Sequence, residues 1–284
     1  MKQSSIQTAV LTTIAMIAFA SNSLLNRLAL GQHTIDAISY TTVRLVCGAI
    51  MLSLIASMQR KKGQQLLGGS WLSASLLFLY ALTFSFAYLS LSTGTGALIL
   101  FGSVQLTMII IALRSGERPQ TLEWIGLCMA LGGLIYLVLP GLSAPAPLGS
   151  ILMLMAGIAW GFYSVRGRGS QNPLADSTGN FVYAVPMILL IRLVSANNIQ
   201  LSSTGILFAA LSGALASGVG YVIWYSALRG LTTTRAAIIQ LSVPMLAAWG
   251  GVILLSEHIS VRLLFAGILI LGGIGLTVLS RNKS

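Results

Sequence analysis

Two stretches of this chain, Gly63 to Leu113 and Trp124 to Val165, contain no charged residue. A helix crossing the hydrocarbon core of a bilayer needs about 20 mostly apolar residues. Each stretch is therefore too long for one crossing and must hold two helices and a turn. Only 7% of the residues are charged and 56% are hydrophobic, whereas soluble domains carry roughly 25% charged residues. Water is the wrong solvent for this chain.

Breaking the sequence at charges and at Pro, Gly and Asn clusters predicts ten helical segments. They run Ile6 to Leu30, Asp36 to Met58, Trp71 to Leu91, Thr95 to Leu113, Thr121 to Leu139, Leu148 to Val165, Asn180 to Val194, Gly205 to Tyr225, Ala236 to Leu255 and Val261 to Ser280. Gly94-Thr95-Gly96 is expected to make a tight reversal between the third and fourth, because glycine tolerates positive φ. Pro140-Gly141, with Pro145 and Pro147, is expected to stop the fifth and to separate two halves, 1–140 and 146–284. Lys2 followed by an apolar run and Ala18-Phe19-Ala20 resembles a secretory signal. The run continues past Ser21 to Leu30, so a retained first helix is expected.

The net charge of +11 does not indicate nucleic acid. Basic residues sit singly or in threes between apolar segments, Arg60-Lys61-Lys62 being the densest cluster, and this is how cytoplasmic loops of membrane proteins look. With the N-terminus cytoplasmic, twelve of the sixteen basic residues fall on the inner side. Both termini of a multi-pass protein of the plasma (inner) membrane are then expected to be cytoplasmic. Cys47 and Cys128 fall within predicted helices and read as small packing residues.

The chain also repeats itself. Glu117 stands fifteen residues before Gly132-Gly133, and Glu257 fifteen before Gly272-Gly273, an offset of 140 residues. Ala97, Ser103 and Val104 match Ala236, Ser242 and Val243 at an offset of 139. A unit with an odd number of helices that recurs must recur upside down. The expected fold is therefore an all-α membrane protein of ten transmembrane helices, arranged as two inverted five-helix repeats.

At these residues the chain resembles the EamA-type members of the drug/metabolite transporter superfamily. That family has a Trp-Gly pair in the first helix of a repeat, an Arg in the second and a Glu before the fifth. Trp160-Gly161 matches in the second repeat, whereas the first has Ala20-Ser21 followed by the family-like Asn22. Arg44 fits the second-helix Arg, with no equivalent near Ala184, and Glu117 and Glu257 match in both halves. The resemblance implies an exporter or carrier of amino acids and similar metabolites, with helices one to four and six to nine around a central cavity.

Read from the residues alone, no phosphate loop, H-E-x-x-H pair or metal-ligand cluster is present, so neither an enzyme nor a cofactor is expected. His33 and His258 lie on expected outer loops. Polar residues at membrane depth are costly and mark function. Arg44 is the one charge well inside a segment; it either serves structure or meets a substrate carboxylate with its guanidinium fork. Asn22, Gln105 and Gln240 either bridge helices or bind solute. Tyr80 with Phe84, Trp160 with Tyr163, and Tyr221 form an aromatic set that either lines a cavity or packs. All five carboxylates sit at segment ends, where Glu117 and Glu257 are expected to cap the helix that follows. No proton relay is visible at mid-depth.

The expected function is secondary export of small organic metabolites, most of all amino acids or related compounds, by alternating access around a central cavity. A channel or a non-transporting membrane protein is the alternative. The expected partners are a small-molecule solute and the lipid bilayer, in a monomer or homodimer, with no nucleic acid.

Overall fold

The computed structural model describes residues 5–59, 66–114, 121–139, 144–195, 199–229, 231, 240 and 242–281. These residues form ten helices: α1 Ser5–Gly31, α2 Ala37–Met58, α3 Trp71–Ala87, α4 Thr93–Arg114, α5 Thr121–Val138, α6 Pro147–Gly167, α7 Pro173–Val194, α8 Ser203–Leu228, α9 Ser242–Leu255 and α10 Val261–Arg281. Six of them (α1, α2, α4, α6, α7 and α8) are long and apolar enough to cross a membrane, and the others are shorter apolar rods.

The distribution of side chains is inverted relative to a protein that folds in water. On α1 the exposed stripe is Ile6, Val10, Ile14 and Ile17, while Thr12, Asn22, Ser23 and Asn26 are buried. This spacing of three and four residues defines one helix face, and that face is fit for lipid. The polar residues point inward, where Asn22 and Asn26 find partners on other helices and Thr12 bonds to the Thr8 carbonyl of its own helix.

The helices pair across the two halves in a reciprocal scheme. α5 packs on α10, α2 on α7 and α4 on α9. α3 packs on α6 as α8 does on α1, and α4 packs on α6 as α9 does on α1. Each of these contacts has a counterpart when every helix is exchanged for the one five places along.

Hydrogen bonds sort the loops onto two faces. One face gathers the segments after α1, α3, α5, α7 and α9; it will be called the first face. There Arg262, at the start of α10, donates to the carbonyls of Tyr136 and Leu139 that end α5, which satisfies acceptors a helix C-terminus leaves open. The second face gathers the starts of α3 and α7 and the ends of α6 and α8, with Arg229 donating to the Gln171 carbonyl at 2.7 Å.

Several turns differ from expectation. Gly94 and Gly96 lie inside α4, and the reversal is made by residues 88–92. These glycines are required for close approach, not for positive φ: a Cβ on Gly96 would come within 2.6 Å of the Tyr88 ring, and one on Gly94 within 3.0 Å of Ala248. Pro147 begins α6 at its first turn, a position where its missing N–H costs nothing, and does not serve to stop α5. Pro140-Gly141, Glu117 and Arg60-Lys61-Lys62 lie outside the described residues, as does the expected start of the ninth helix at Ala236.

α7 starts at Pro173, seven residues before the expected Asn180, with Asn172 as its cap. Its first two turns carry Asp176, Ser177, Thr178 and Asn180, a polar run that reads as a loop. Ser177, Thr178 and Asn180 are buried against the rest of the bundle.

A buried aromatic cluster built on Arg44

α1, α2, α3, α6 and α8 converge on Arg44, which is 1% exposed. Close approach of α2 and α8 makes this possible. A Cβ on Gly213 would lie 2.1 Å from the Arg44 carbonyl oxygen, and one on Gly48 would lie 2.4 Å from the Phe181 ring. With glycine at both positions, the α2 backbone lies directly against α8.

The stretch of α8 at this crossing, Ser212–Val219, is π-helical. In an α-helix residues five apart point about 140° from each other. Bonds from i to i+5 bring such residues onto a common side, and Ser212 and Ser217 are five apart. Ser212 Oγ donates to Asn22 Oδ1 on α1. Ser217 Oγ accepts from Arg44 Nε at 3.0 Å and from Asn22 Nδ2 at 3.3 Å. The π segment thus turns two small hydroxyls toward one buried Asn and one buried Arg.

Arg44 Nη2 donates to the hydroxyls of Tyr80 at 3.2 Å and Tyr221 at 3.0 Å. The guanidinium carbon also lies 5.2 Å from the Tyr80 ring centre and 5.3 Å from that of Phe84, within cation–π range. Tyr80 and Tyr221 are 141 residues apart in α3 and α8, the third helices of the two halves. The two halves therefore hold the one arginine between equivalent tyrosines.

Trp160 closes the cluster, with ring centres 4.6 Å from Tyr221 and 5.0 Å from Tyr80. It is positioned by Gly157 and Gly161, on which a Cβ would come within 2.5 Å of Ser103 and 2.8 Å of Thr107 on α4. Tyr163 stacks on Trp160 at 5.4 Å and accepts from Asn180 Nδ2 at 3.3 Å, so it extends the cluster toward the second face. Phe84 bridges Tyr80 and Tyr88. Asn22, Arg44, Tyr80, Phe84, Trp160 and Tyr221 thus form one connected group with Tyr163 at its edge. Gln105 and Gln240 are fully buried; like Arg44, which stands behind Tyr80 and Tyr221, they do not line the small cavity left among the rings.

That cavity is about 10 Å³, room for about one water, so the cluster is closed. Both faces are held shut above and below it. On the first face Asp36 accepts from the Gln200 amide at 3.2 Å and lies 3.9 Å from Arg192. The Asp36 amide donates back to the Gln200 carbonyl, and Ile35 pairs with Leu201. On the second face Asp176 accepts from the Gly69 amide at 2.8 Å and from Ser170 Oγ at 2.5 Å. Gly68 donates to the Ala175 carbonyl. Asp36 and Asp176 are 140 residues apart, and each binds the loop between the second and third helices of the opposite half.

Asp36 sits outside the membrane-spanning segment. Burial raises its pKa, but hydrogen bonds from Ser39 and Gln200 and the charge of Arg192 outweigh that, leaving it below the ordinary carboxylate value. Glu257 acts differently from expectation. Its carboxylate accepts from the Thr93 amide at 2.8 Å and pairs with Arg27 at 3.3 Å, so it caps α4 of the other half, not the helix that follows it. The described cysteines, Cys47 and Cys128, are free thiols.

The most central residue absent from the expected set is Phe19. Its ring makes edge contacts with Trp160, Tyr221 and Trp224 and stacks on Phe101. It lies one position before Ala20-Ser21, where Trp160-Gly161 has its counterpart. Ser212 and Ser217 were also absent; their one visible signal is the Ser-Gly dipeptide recurring five residues on.

The model of the EamA-like transporter family matches residues 7–139 and again 147–279. The chain belongs to the EamA-like transporter family. The EamA-like unit therefore occurs twice, in a protein of the drug/metabolite transporter superfamily. It is 48% identical over 275 residues to an uncharacterized protein of Pseudomonas aeruginosa, covering 97% of this chain and 96% of that one. It is 27% identical over 228 residues to a probable amino-acid metabolite efflux pump of Escherichia coli, covering 72% of this chain and 76% of the pump. A solved crystal structure shares the fold with a TM-score of 0.67 and 20% identity, over 94% of this chain and 98% of that one. This EamA-like chain is accordingly a multi-pass membrane transporter.

Proposed function

We propose that this EamA-like protein exports small organic metabolites, amino acids or related compounds, from the cell by alternating access. Its transport site is the cluster of Asn22, Arg44, Tyr80, Phe84, Trp160 and Tyr221, flanked by Tyr163, Gln105 and Gln240. The halves 1–140 and 146–284 are inverted repeats about an axis in the membrane plane, with the first face outward and both termini cytoplasmic. The reciprocal helix pairing supports the two-fold relation, and an odd number of helices per unit supports the inversion. The positive-inside rule supports the orientation, and the name of the Escherichia coli relative supports amino-acid metabolites as cargo.

The observation that carries the mechanism is the pair of carboxylate contacts at opposite faces. Each carboxylate accepts a hydrogen bond across the two halves, Asp36 from the Gln200 amide and Asp176 from the Gly69 amide, and between them lies a buried polar site. Opening only the Asp36 contact exposes the cluster to the first face; opening only the Asp176 contact exposes it to the second. A device with two equivalent closures around one site carries solute without forming a continuous pore.

The test is counterflow in proteoliposomes of the purified protein, preloaded in turn with each amino acid and a panel of metabolite acids. Saturable uptake of labelled solute, accelerated by unlabelled solute on the far side, is expected. Flux that neither saturates nor responds to the far side would identify a channel. No flux of any solute, with a control carrier active in the same lipids, refutes the transport reading.

A further inference from the structure

An arginine has five N–H donors. In Arg44 the Nε donor goes to Ser217 and the Nη2 donors to Tyr80 and Tyr221. Nη1 is buried and has no hydrogen-bond partner among the described residues. Every group that does meet the guanidinium is a neutral hydroxyl or an aromatic ring. Leaving a buried cation with open donors and no counter-charge is unfavourable.

Among the described residues, no acid bonds to this guanidinium. The sequence has five: Asp36, Glu117, Glu123, Asp176 and Glu257. Asp36 and Glu257 are bound to Arg192 and Arg27 on the first face, and Asp176 to Gly69 and Ser170 on the second. Glu123 lies in the first turn of α5, which packs on α10 and α4, and Glu117 is outside the described residues. The small central cavity is lined by the Tyr80 and Tyr221 that hold Arg44, and not by Arg44 itself; Phe19, Phe84, Leu100, Phe101 and Trp160 supply most of the rest of its wall, and Asn22 Oδ1 is already taken by Ser212.

We infer that the cargo is a net anion, a carboxylate on an apolar or aromatic body without an ammonium group, carried with no coupling ion. This rests on reading the Arg44 cluster as the transport site, and it narrows the proposed metabolites to carboxylates that lack an amine. A carboxylate accepts from the Nη1 donors and neutralises the arginine, so the loaded site crosses uncharged and the empty site carries the arginine's positive charge back, which moves one net negative charge outward per cycle. A zwitterion leaves the loaded site cationic and gives its ammonium only ring faces in place of water. Because the translocated species carries one negative charge, the membrane potential does the work. At 100 mV, negative inside, a monovalent anion is driven outward to about a 50-fold gradient, and a zwitterion to none.

Three compounds of one skeleton separate the possibilities: phenyllactate as anion, phenylalanine as zwitterion and phenylalaninamide as cation. In proteoliposomes of the intact chain, phenyllactate is expected to half-saturate counterflow at a concentration at least tenfold below that of phenylalanine. Reversing the sign of a 100 mV potassium diffusion potential is expected to reverse the direction of its accumulation. Arg44→Lys, which keeps the charge, should preserve the order of preference, and Arg44→Gln should remove it. The order measured in the unmodified protein stands whether or not either variant folds. Equal or better transport of phenylalanine or its amide, or phenyllactate accumulation indifferent to the potential, would overturn the inference while leaving the protein a transporter. Movement of neutral or zwitterionic metabolites alone would overturn it equally. If nothing of any charge moves and a control carrier works, it is the transport reading that has failed.

Discussion

Removing the carboxylate of Asp36 or of Asp176 should drive the protein in opposite directions, and the size of the effect follows from the bonds each makes. Asp36 Oδ1 accepts from the Ser39 amide within its own helix, a cap that survives opening and does not bias it. What opening breaks is the bond from the Gln200 amide and the 3.9 Å contact to Arg192. A hydrogen bond to a charged group contributes about 1.5–3 kcal/mol, and an ion pair as long as this one, near the surface, about 0.2–1 kcal/mol. Asp36→Ala therefore favours opening of the first face by about 2 kcal/mol, roughly 30-fold in population. Asp176→Ala loses the bond from Gly69 of the other half, while the bond from Ser170 lies within its own half and does not bias opening, so it favours opening of the second face by a similar factor.

Hydrogen exchange of the backbone amides measures both faces in one experiment. Faster exchange at residues 200–202 in Asp36→Ala would follow from a lost local bond and proves nothing more. The informative signal is at the other end. If the two faces alternate, a first-face-open state that becomes the major species depletes the closed and the second-face-open states together. Exchange at residues 68–70 should then slow in Asp36→Ala, and exchange at 200–202 should slow in Asp176→Ala. Faster exchange at the far face, or unchanged exchange there in a variant whose near face is open in most molecules, would show two independent pins and would remove the structural basis for alternating access.

Three further outcomes follow from close contacts and charge. Gly273→Ala should lower the thermal stability of the detergent-purified protein by about 1–3 kcal/mol, because its Cβ would lie 2.4 Å from the Gly126 carbonyl oxygen on α5. Gly272→Ala next to it, with nothing within 4 Å, should leave the melting temperature unchanged. Gly213→Ala should weaken transport more than Gly132→Ala, since its Cβ would strike the Arg44 carbonyl and push α2 off the π segment; initial rates in proteoliposomes decide it. The depressed pKa of Asp36 means its contribution is present above the ordinary carboxylate pKa and is lost only as pH falls through the lower folded value, below about 4. Amide exchange at 200–202, corrected for its intrinsic pH dependence, should therefore show no titration between pH 5 and 8.

What the sequence made legible was what the bilayer enforces. Long uncharged runs must become helices, and nine of the ten segments fall where hydropathy puts them, to within a few residues where both ends are described. α7 escapes because Asp176, Ser177, Thr178 and Asn180 look like loop, yet three of them are buried in the protein and Asp176 and Asn180 bind the loop leading to α3. Hydropathy reports a residue's average environment and cannot say whether a polar side chain meets water or a neighbouring helix. The glycine pairs show the same limit: Gly133 and Gly273 touch the partner helix, while Gly132 and Gly272 have no neighbour, a distinction of rotation about the helix axis that no dipeptide encodes.

The candidate site was legible in its costly residues and hidden in its cheap ones. An arginine, an asparagine and a set of aromatics inside apolar segments stand out, because each needs a reason to be there. Serine does not stand out in a helix of Ala, Gly and Leu, because it can satisfy itself on its own backbone. Only the π-helical turn makes Ser212 and Ser217 a pair, and only their pairing fixes Asn22 against Arg44. Phe19 was hidden for a related reason: the tryptophan expected in the first half is absent, and its role is filled from one residue earlier on the helix. A site shared between two diverged copies does not keep equivalent residues at equivalent positions. It keeps the occupied volume and the hydrogen bonds, with Tyr80 and Tyr221 conserving the symmetry and Arg44, present in one half alone, breaking it. That break leaves a scaffold of two EamA-like copies with a single buried charge at its centre, the one to which the proposed carboxylate would bind.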